Sequence, residues 1–264
     1  MRKVKILVAT HKQAEMPKNR GLYLPVLVNA KRNFQVGIDY QRDDRGENIS
    51  YKNANYNELT AIYWAWKNLS DVDAIGLVHY QRFFFKPGCR KTIDNVIGQQ
   101  DVDLLLKNHD VILPEKRNYF IESNYSHYVH AHHEEPLLKT RQILAERYPE
   151  YLEAYDVTMQ SNKAHMFNMF VMKKPQFDAY ATWLFDVLAR LEPRIDVGTY
   201  SVQEARVYGY IAELLMDVWI ETNNVNYAEI KWGVTGRKQT VSKVYDFLLR
   251  KFFQTNANLR KIHF

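Results

Sequence analysis

The sequence predicts an α/β fold: a mixed, mostly parallel sheet flanked by helices, with an amphipathic helix appended at the C-terminus. Three observations predict it. Short, nearly continuous apolar segments alternate with longer segments whose apolar residues recur at helical spacing. Each apolar segment gives way at once to a polar, charged cluster, as buried strands do at the ligand edge of an open sheet. The chain's 264 residues, 46% apolar and 14% aromatic, suffice for one large core, which excludes disorder as the main theme.

The elements follow in order. Residues 4–9 (VKILVA) form a buried first strand that delivers Thr10, His11 and Lys12 to the sheet edge. Asp43 to Asn48 is turn-rich. From Asn55 the spacing of Leu59, Ile62, Tyr63 and Trp66 predicts an amphipathic helix ending near Asn68. A second strand, 74–78, runs into His79, Tyr80, Gln81 and Arg82, and a third, 110–113, stops at Pro114. A helix at 137–148 follows an aromatic, His-rich stretch, and the apolar run 165–172 predicts another buried strand. Helices at 176–191 and 202–217 and a short strand at 218–220 complete the domain, 1–235.

Charge is divided unevenly. The net charge is +6, and from Gly236 onward seven Lys and Arg face the single acid Asp246, so the whole excess lies in the tail, 236–264. A neutral body argues against nucleic acid as a partner, because a nucleic-acid domain carries basic stripes through its body. In the tail, Val241, Val244, Tyr245, Leu248, Leu249, Phe252 and Phe253 make one helical stripe flanked by Lys243, Arg250 and Lys251. Such a helix either docks on the domain or meets an anionic membrane surface. The single cysteine, Cys89, excludes an internal disulfide framework and a thiolate-rich metal site. The apolar run near Met1 is too short for a signal peptide, and no stretch approaches the roughly 20 residues of a membrane span. The expected location is cytoplasmic, peripheral on the inner face of the cytoplasmic membrane if the tail binds it.

Several strings carry a resemblance. Gly46-Glu-Asn-Ile-Ser50, Asn53-x-x-Tyr56-x-Glu58-Leu-Thr60, Tyr63-Trp64-x-Trp66-Lys-Asn68, Gly76-Leu-x-His79-Tyr-x-Arg82 and His165-Met-Phe-Asn-Met-Phe170 resemble the DUF4422 family of bacterial capsule and exopolysaccharide biosynthesis proteins. The resemblance implies a GT-A-like glycosyltransferase. It would transfer a hexose, galactose or galactofuranose, from a UDP-sugar donor to a lipid-linked glycan acceptor in capsule, exopolysaccharide or O-antigen synthesis. In one departure Gln81 stands where the family usually carries a further Arg.

Nucleotide-sugar chemistry needs positive charge near the departing diphosphate. Two Asp-x-Asp strings, Asp71/Asp73 and Asp101/Asp103, are candidates for holding Mn²⁺ or Mg²⁺, but the first precedes its strand and the second opens a helix, where acids cap. A divalent metal is thus compatible with the chemistry and unsupported by motif position. His79 and Arg82, with Lys12, are expected to serve the diphosphate instead. Thr10 and His11 suit base and ribose, or else a cap and an exposed ring. Asn48, Ser50 and Asn53 suit sugar hydroxyls, or else turns and helix caps. Tyr80, Asn168 and Arg206 complete the donor set, Asn168 because a polar side chain in an apolar run needs a partner. Glu58 is either a solvated acid or a sugar ligand.

An inverting transfer needs a carboxylate base. The candidates are Glu122, Asp196, Glu204 and Glu213, with Asp196 and Glu122 ranked first and His79 as a further catalytic candidate. His130, His132 and His133 are expected to recognise the acceptor; without a His-Glu-x-x-His motif or a third distant ligand, zinc is the weaker reading. Two other classes compete: a non-catalytic glycan-binding or assembly protein, and a His-ligated metal-dependent hydrolase.

Overall fold

The computed structural model describes residues 1–235. The appendage expected at 236–264, for which the sequence predicts an amphipathic helix, lies outside the described residues. In the first half the chain forms β1 (Val4–Thr10), β2 (Tyr23–Leu27), α1 (Ala30–Asn33), β3 (Gln41–Arg42), α2 (Asn53–Tyr56), α3 (Leu59–Asn68), β4 (Ala74–His79), β5 (Arg82–Phe84), α4 (Gln99–Asn108), β6 (Val111–Pro114) and β7 (Arg117–Asn118). The second half continues with α5 (Asn124–Ala131), α6 (Glu135–Arg147), α7 (Leu152–Gln160), β8 (Lys163–Ala164), β9 (Phe170–Lys173), α8 (Lys174–Leu191), α9 (Val207–Thr222), β10 (Tyr227–Ile230) and β11 (Trp232–Val234).

The expected mixed, mostly parallel sheet is present, with strand order β10-β6-β9-β4-β1-β2-β3. Strand β1 is parallel to β2 and β4, and β6 is parallel to β10. Strand β9 alone on this path runs against its neighbours, β4 and β6. The carboxyl ends of β1, β4 and β6 therefore share one edge with the amino end of β9, so the loop before β9 lands beside the loops that follow the other strands. The period of two divides the side chains of β1: Leu7 and Ala9 join a core with α3, α8 and α9, while Ile6 and Val8 pack on the opposite face with Val102 and Leu106 of α4.

Three expectations are corrected. The predicted strand 165–172 is a strand only from Phe170, because Phe167 (φ 73°) and Asn168 (φ 51°) adopt the left-handed conformation and break the ladder. The predicted strand 218–220 is the last turn and a half of α9. Val218 and Ile220 are β-branched, but they are buried on a helix that is apolar almost all round. The helix predicted from Asn55 is interrupted at Asn57 (φ 52°, ψ −129°), which separates α2 from α3.

Both Asp-x-Asp strings sit at the amino edge of the sheet and fasten it, as the sequence reading expects. Asp73 accepts from Lys3 N at 2.7 Å, and Asp71 pairs with the Lys3 ammonium. Asp101 accepts from Gly98 N to cap α4, and Asp103 accepts from Arg2 N. Among the described residues, no helix is long and apolar enough to cross a membrane.

Candidate active site

At the carboxyl edge, β4 turns straight back into β5 through Tyr80 and Gln81, so His79 and Arg82 are direct partners across the hairpin. Their spacing of three in the sequence is thus a turn, and it points both side chains at the loop before β9. The His79 Nε2 lies 2.7 Å from the Phe167 carbonyl oxygen. A carbonyl only accepts, so the ring proton resides on Nε2 and is donated to Phe167. Burial pushes the His79 pKa below the ordinary histidine value against the opposing pull of Glu58, and Arg82 adds to the depression. His79 is therefore a neutral ring whose Nε2–H is committed to the protein, which corrects its expected role as a positive or hydrogen-bond-donating group for the diphosphate.

The Phe167–Asn168 turn is held from every side. The Arg82 guanidinium lies 4.6 Å over the Phe167 ring, and Trp232 meets the same ring edge-on at 4.6 Å. One stripe of α9, Gly209, Glu213 and Asp217 at i, i+4 and i+8, supplies the rest. Asp217 accepts from His165 N at 2.9 Å and pairs with the His165 ring, whose other nitrogen lies 3.2 Å from Glu229. Glu213 is hydrogen-bonded to the Phe167 backbone. Asn168 Nδ2 donates to Glu58 Oε1 at 2.7 Å and to Gly209 O at 3.2 Å. The other amide atom, Asn168 Oδ1, is buried and has no hydrogen-bond partner among the described residues. Two left-handed non-glycine residues cost roughly 1–2 kcal/mol each, and such strain persists only where surrounding contacts over-determine it. Gly209 is required here, since a Cβ would stand 2.6 Å from Asn57 Nδ2. Asn57 in turn accepts from Arg206 Nε at 2.8 Å and donates to Arg206 O at 3.3 Å, which fixes that arginine at the start of α9.

The charges converge on the same place. Arg82, Arg117 and Arg206 lie within electrostatic reach of Glu213, and Glu58 and Glu213 face each other. Burial and then the Glu58 charge push the Glu213 pKa up to about 8, opposed by the Phe167 hydrogen bond and by Arg82 and Arg206. At the end of β1, His11 meets Tyr80 edge-on at 5.4 Å and Lys12 Nζ lies 5.6 Å over the same ring. Burial, then Lys12 and Arg206, lower the His11 pKa.

The structure thus brings together His11, Lys12, His79, Tyr80, Arg82, Asn168 and Arg206. It places other expected residues in the scaffold. Thr10 is buried and donates to Lys12 O at 2.6 Å, closing the turn after β1. Ser50 is buried and donates to Asp43, a fully buried carboxylate that also accepts from Thr60 Oγ1 and from the N–H groups of Asn29 and Ala30. Asn48 donates to Gly46 O and accepts from Ser50 N, and Asn53 donates to Asn57 O and Thr60. These three correct the sugar-binding expectation in favour of the turn-making alternative.

Of the acids ranked first, Asp196 stands apart from this cluster, whereas Glu122 and Glu213 both lie within electrostatic reach of Tyr119. Asp196 is exposed and accepts from Gly198 N in a turn. Glu122 lies between His127 Nδ1 at 2.9 Å and His130 Nδ1 at 3.2 Å. The expected acceptor histidines separate: His130 meets Glu122, His132 stacks on Tyr210 at 4.2 Å, and His133 stacks on Tyr200 at 4.1 Å beside Glu204. Tyr210 also lies 5.8 Å beneath Arg206, so the His132 ring continues the wall of the site. Arg117 is the member that sequence reasoning missed, while Glu58 stood there as a solvated acid or a sugar ligand and Glu213 as a base candidate ranked below Asp196 and Glu122. The signal for Glu213 was the polar stripe it shares with Gly209 and Asp217 on an otherwise apolar helix.

Residues 5–224 match the family described as "Domain of unknown function (DUF4422)". No curated protein matches this chain. Among solved structures, the chain is similar to the apo structure of the WbbM bifunctional glycosyltransferase, with a TM-score of 0.79 and 28% identity over 89% of this chain and 46% of that one. It therefore spans about half the length of that protein. The Mn/GDP form of core-mannan synthase A from Aspergillus fumigatus aligns with a TM-score of 0.39 and 11% identity, over 88% of this chain and 74% of that one, too distant to bear on function.

Proposed function

The chain belongs to the DUF4422 family, and on that premise we propose that it is a glycosyltransferase moving a hexosyl group from a UDP-sugar to a lipid-linked glycan acceptor. Galactose or galactofuranose is the sugar, and capsule, exopolysaccharide or O-antigen the product. The observation that carries this reading is the convergence of Lys12, Arg82 and Arg206 on the carboxyl edge of the sheet, beside the buried, unpartnered Asn168 Oδ1.

In this reading the cations hold the diphosphate and offset the charge that grows on it as the glycosidic bond to the donor breaks. Arg82 and Arg206 are preorganised, one stacked on Phe167 and the other bonded to Asn57, so little reorganisation accompanies the reaction. The His11–Tyr80 pair at the end of β1 offers a ring ledge for the uracil. Asn168 Oδ1 accepts from a hydroxyl of the sugar. The ledge of His132 and Tyr210, flanked by His130 and His133, faces the acceptor. Localisation is cytoplasmic, with the tail resting on the inner face of the membrane.

A divalent cation does not fit these residues. His79 spends its Nε2–H on Phe167, Glu58 already receives the Asn168 amide, burial favours the neutral form of Glu213, and three guanidinium groups occupy the space where metal charge would act. No step of the proposal runs through a metal. The test is a panel of nucleotide sugars measured by calorimetry and by release of UDP, with and without Mn²⁺ and EDTA. Binding and turnover of a UDP-hexose that survive EDTA are expected; absence of binding by every nucleotide sugar would refute the reading.

A further inference from the structure

We propose that Glu213 is the base that takes the proton of the acceptor hydroxyl in an inverting transfer. The proposal rests on the glycosyltransferase reading. It begins from a process of geometry among the acids. Asp196 is an exposed turn cap, Glu122 is paired with His127 and His130, Glu204 accepts from the Ser201 N–H and hydroxyl beside His133, and the Glu58 carboxylate receives the Asn168 amide. Glu213 is the acid that α9 buries at the centre of the cationic cluster, on the stripe that also grips His165 and Asn168.

Its surroundings suit the task. From β5 it faces Arg82, from β7 Arg117, from the turn after β7 Tyr119, from the start of α3 Glu58, and from the start of α9 Arg206 and Tyr210. His79 stands neutral on the Phe167 carbonyl, while Glu213 meets the backbone N–H of the same residue. Glu58 and burial make the Glu213 carboxylate a stronger base than a solvated one, while the guanidinium groups keep the ionised form accessible.

The step balances. The acceptor oxygen bonds to the anomeric carbon from the face opposite the diphosphate, and its O–H proton passes to the Glu213 carboxylate. The bond between the anomeric carbon and the diphosphate oxygen breaks, and its electron pair leaves with UDP toward Lys12, Arg82 and Arg206. The general base then releases its proton to solvent with the products.

The experiment measures transfer by the full chain with the UDP-hexose that binds best. Glu213→Gln is expected to lose about 10²–10⁴-fold in kcat, while the calorimetric Kd for the donor stays within about threefold of wild type. Glu213→Asp should recover part of the rate, and formate should restore part of the activity of Glu213→Ala. In the wild type, kcat/KM should fall as the pH drops through about 8, the value to which Glu213 is raised, because protonation removes the base. NMR of the product should show an inverted anomeric centre. Retention, or a Gln variant with transfer within tenfold of wild type, would overturn the assignment while leaving the glycosyltransferase reading standing. Failure of the wild type to bind any nucleotide sugar would remove both. If the Gln variant does not fold, the product anomer, the wild-type pH limb and the Asp variant decide the question.

Discussion

Asn168 joins strain, charge and an open acceptor in one side chain, and replacing it separates the three. Asn168→Ala removes the donor to Glu58 and Gly209. Leaving a carboxylate without its buried donor costs about 2 kcal/mol and a carbonyl about 1 kcal/mol. An alanine at φ 51° adds about 1 kcal/mol. Against this, the mutation deletes Oδ1, whose burial without a partner costs about 1–2 kcal/mol in the free protein. The balance is a loss of about 2–3 kcal/mol, or roughly 5–10 °C in Tm for a domain of this size. Asn168→Gly loses the same bonds but tolerates the left-handed backbone, and should stand about 1 kcal/mol above the alanine variant. Asn168→Asp keeps the shape and turns a carboxylate toward Glu58, so it should be the least stable of the three at neutral pH and recover in acid. Urea unfolding of the four proteins gives the ranking, and calorimetry should show donor affinity about tenfold weaker in the alanine variant. A stable Asp variant at neutral pH, or an Ala variant within about 0.5 kcal/mol of wild type, would refute the account of this turn.

Two further outcomes are expected. Asp43→Ala leaves the hydroxyls of Ser50 and Thr60 and the N–H groups of Asn29 and Ala30 without their acceptor, and should cost about 3–5 kcal/mol; urea unfolding checks it, and a loss under about 1 kcal/mol would contradict it. Truncation before Gly236 should abolish co-sedimentation with vesicles containing anionic lipid and leave turnover of a soluble acceptor intact; unchanged vesicle binding would refute the membrane role of the tail.

The parts of the site that sit at strand ends were legible in the sequence, because a buried strand that runs into polar residues announces its own carboxyl edge. Lys12, His79, Tyr80 and Arg82 came from that rule. The rule places a residue without saying what its donors bind, and so His79 was read as a phosphate ligand when its proton belongs to Phe167. Asn48, Ser50 and Asn53 form a chemically suitable set for a sugar, yet the same amides and hydroxyls satisfy a turn and a buried Asp43. Sequence pattern does not separate those uses. The left-handed turn at Phe167 and Asn168 was hidden inside an apolar run, where composition matches a buried strand although the alternation is poor. Glu213 ranked below Asp196 and Glu122 because an acid on a helix is usually solvated, and the structure buries it. Val218 and Ile220 divided α9 into helix and strand, because β-branched residues buried on a helix that is apolar almost all round carry the composition of a strand.

The reversed strand β9 has a consequence for how the molecule is assembled. It joins the β4 side of the sheet to the β6 side, and its pairing of Gly76 with Val171 closes a loop of nearly a hundred residues. Contacts that distant in the chain form slowly. The turn that precedes β9 is held by partners 88 and 41 residues away in the chain, His79 at the end of β4 and Gly209 on α9, so its left-handed residues depend on long-range contacts rather than on local sequence.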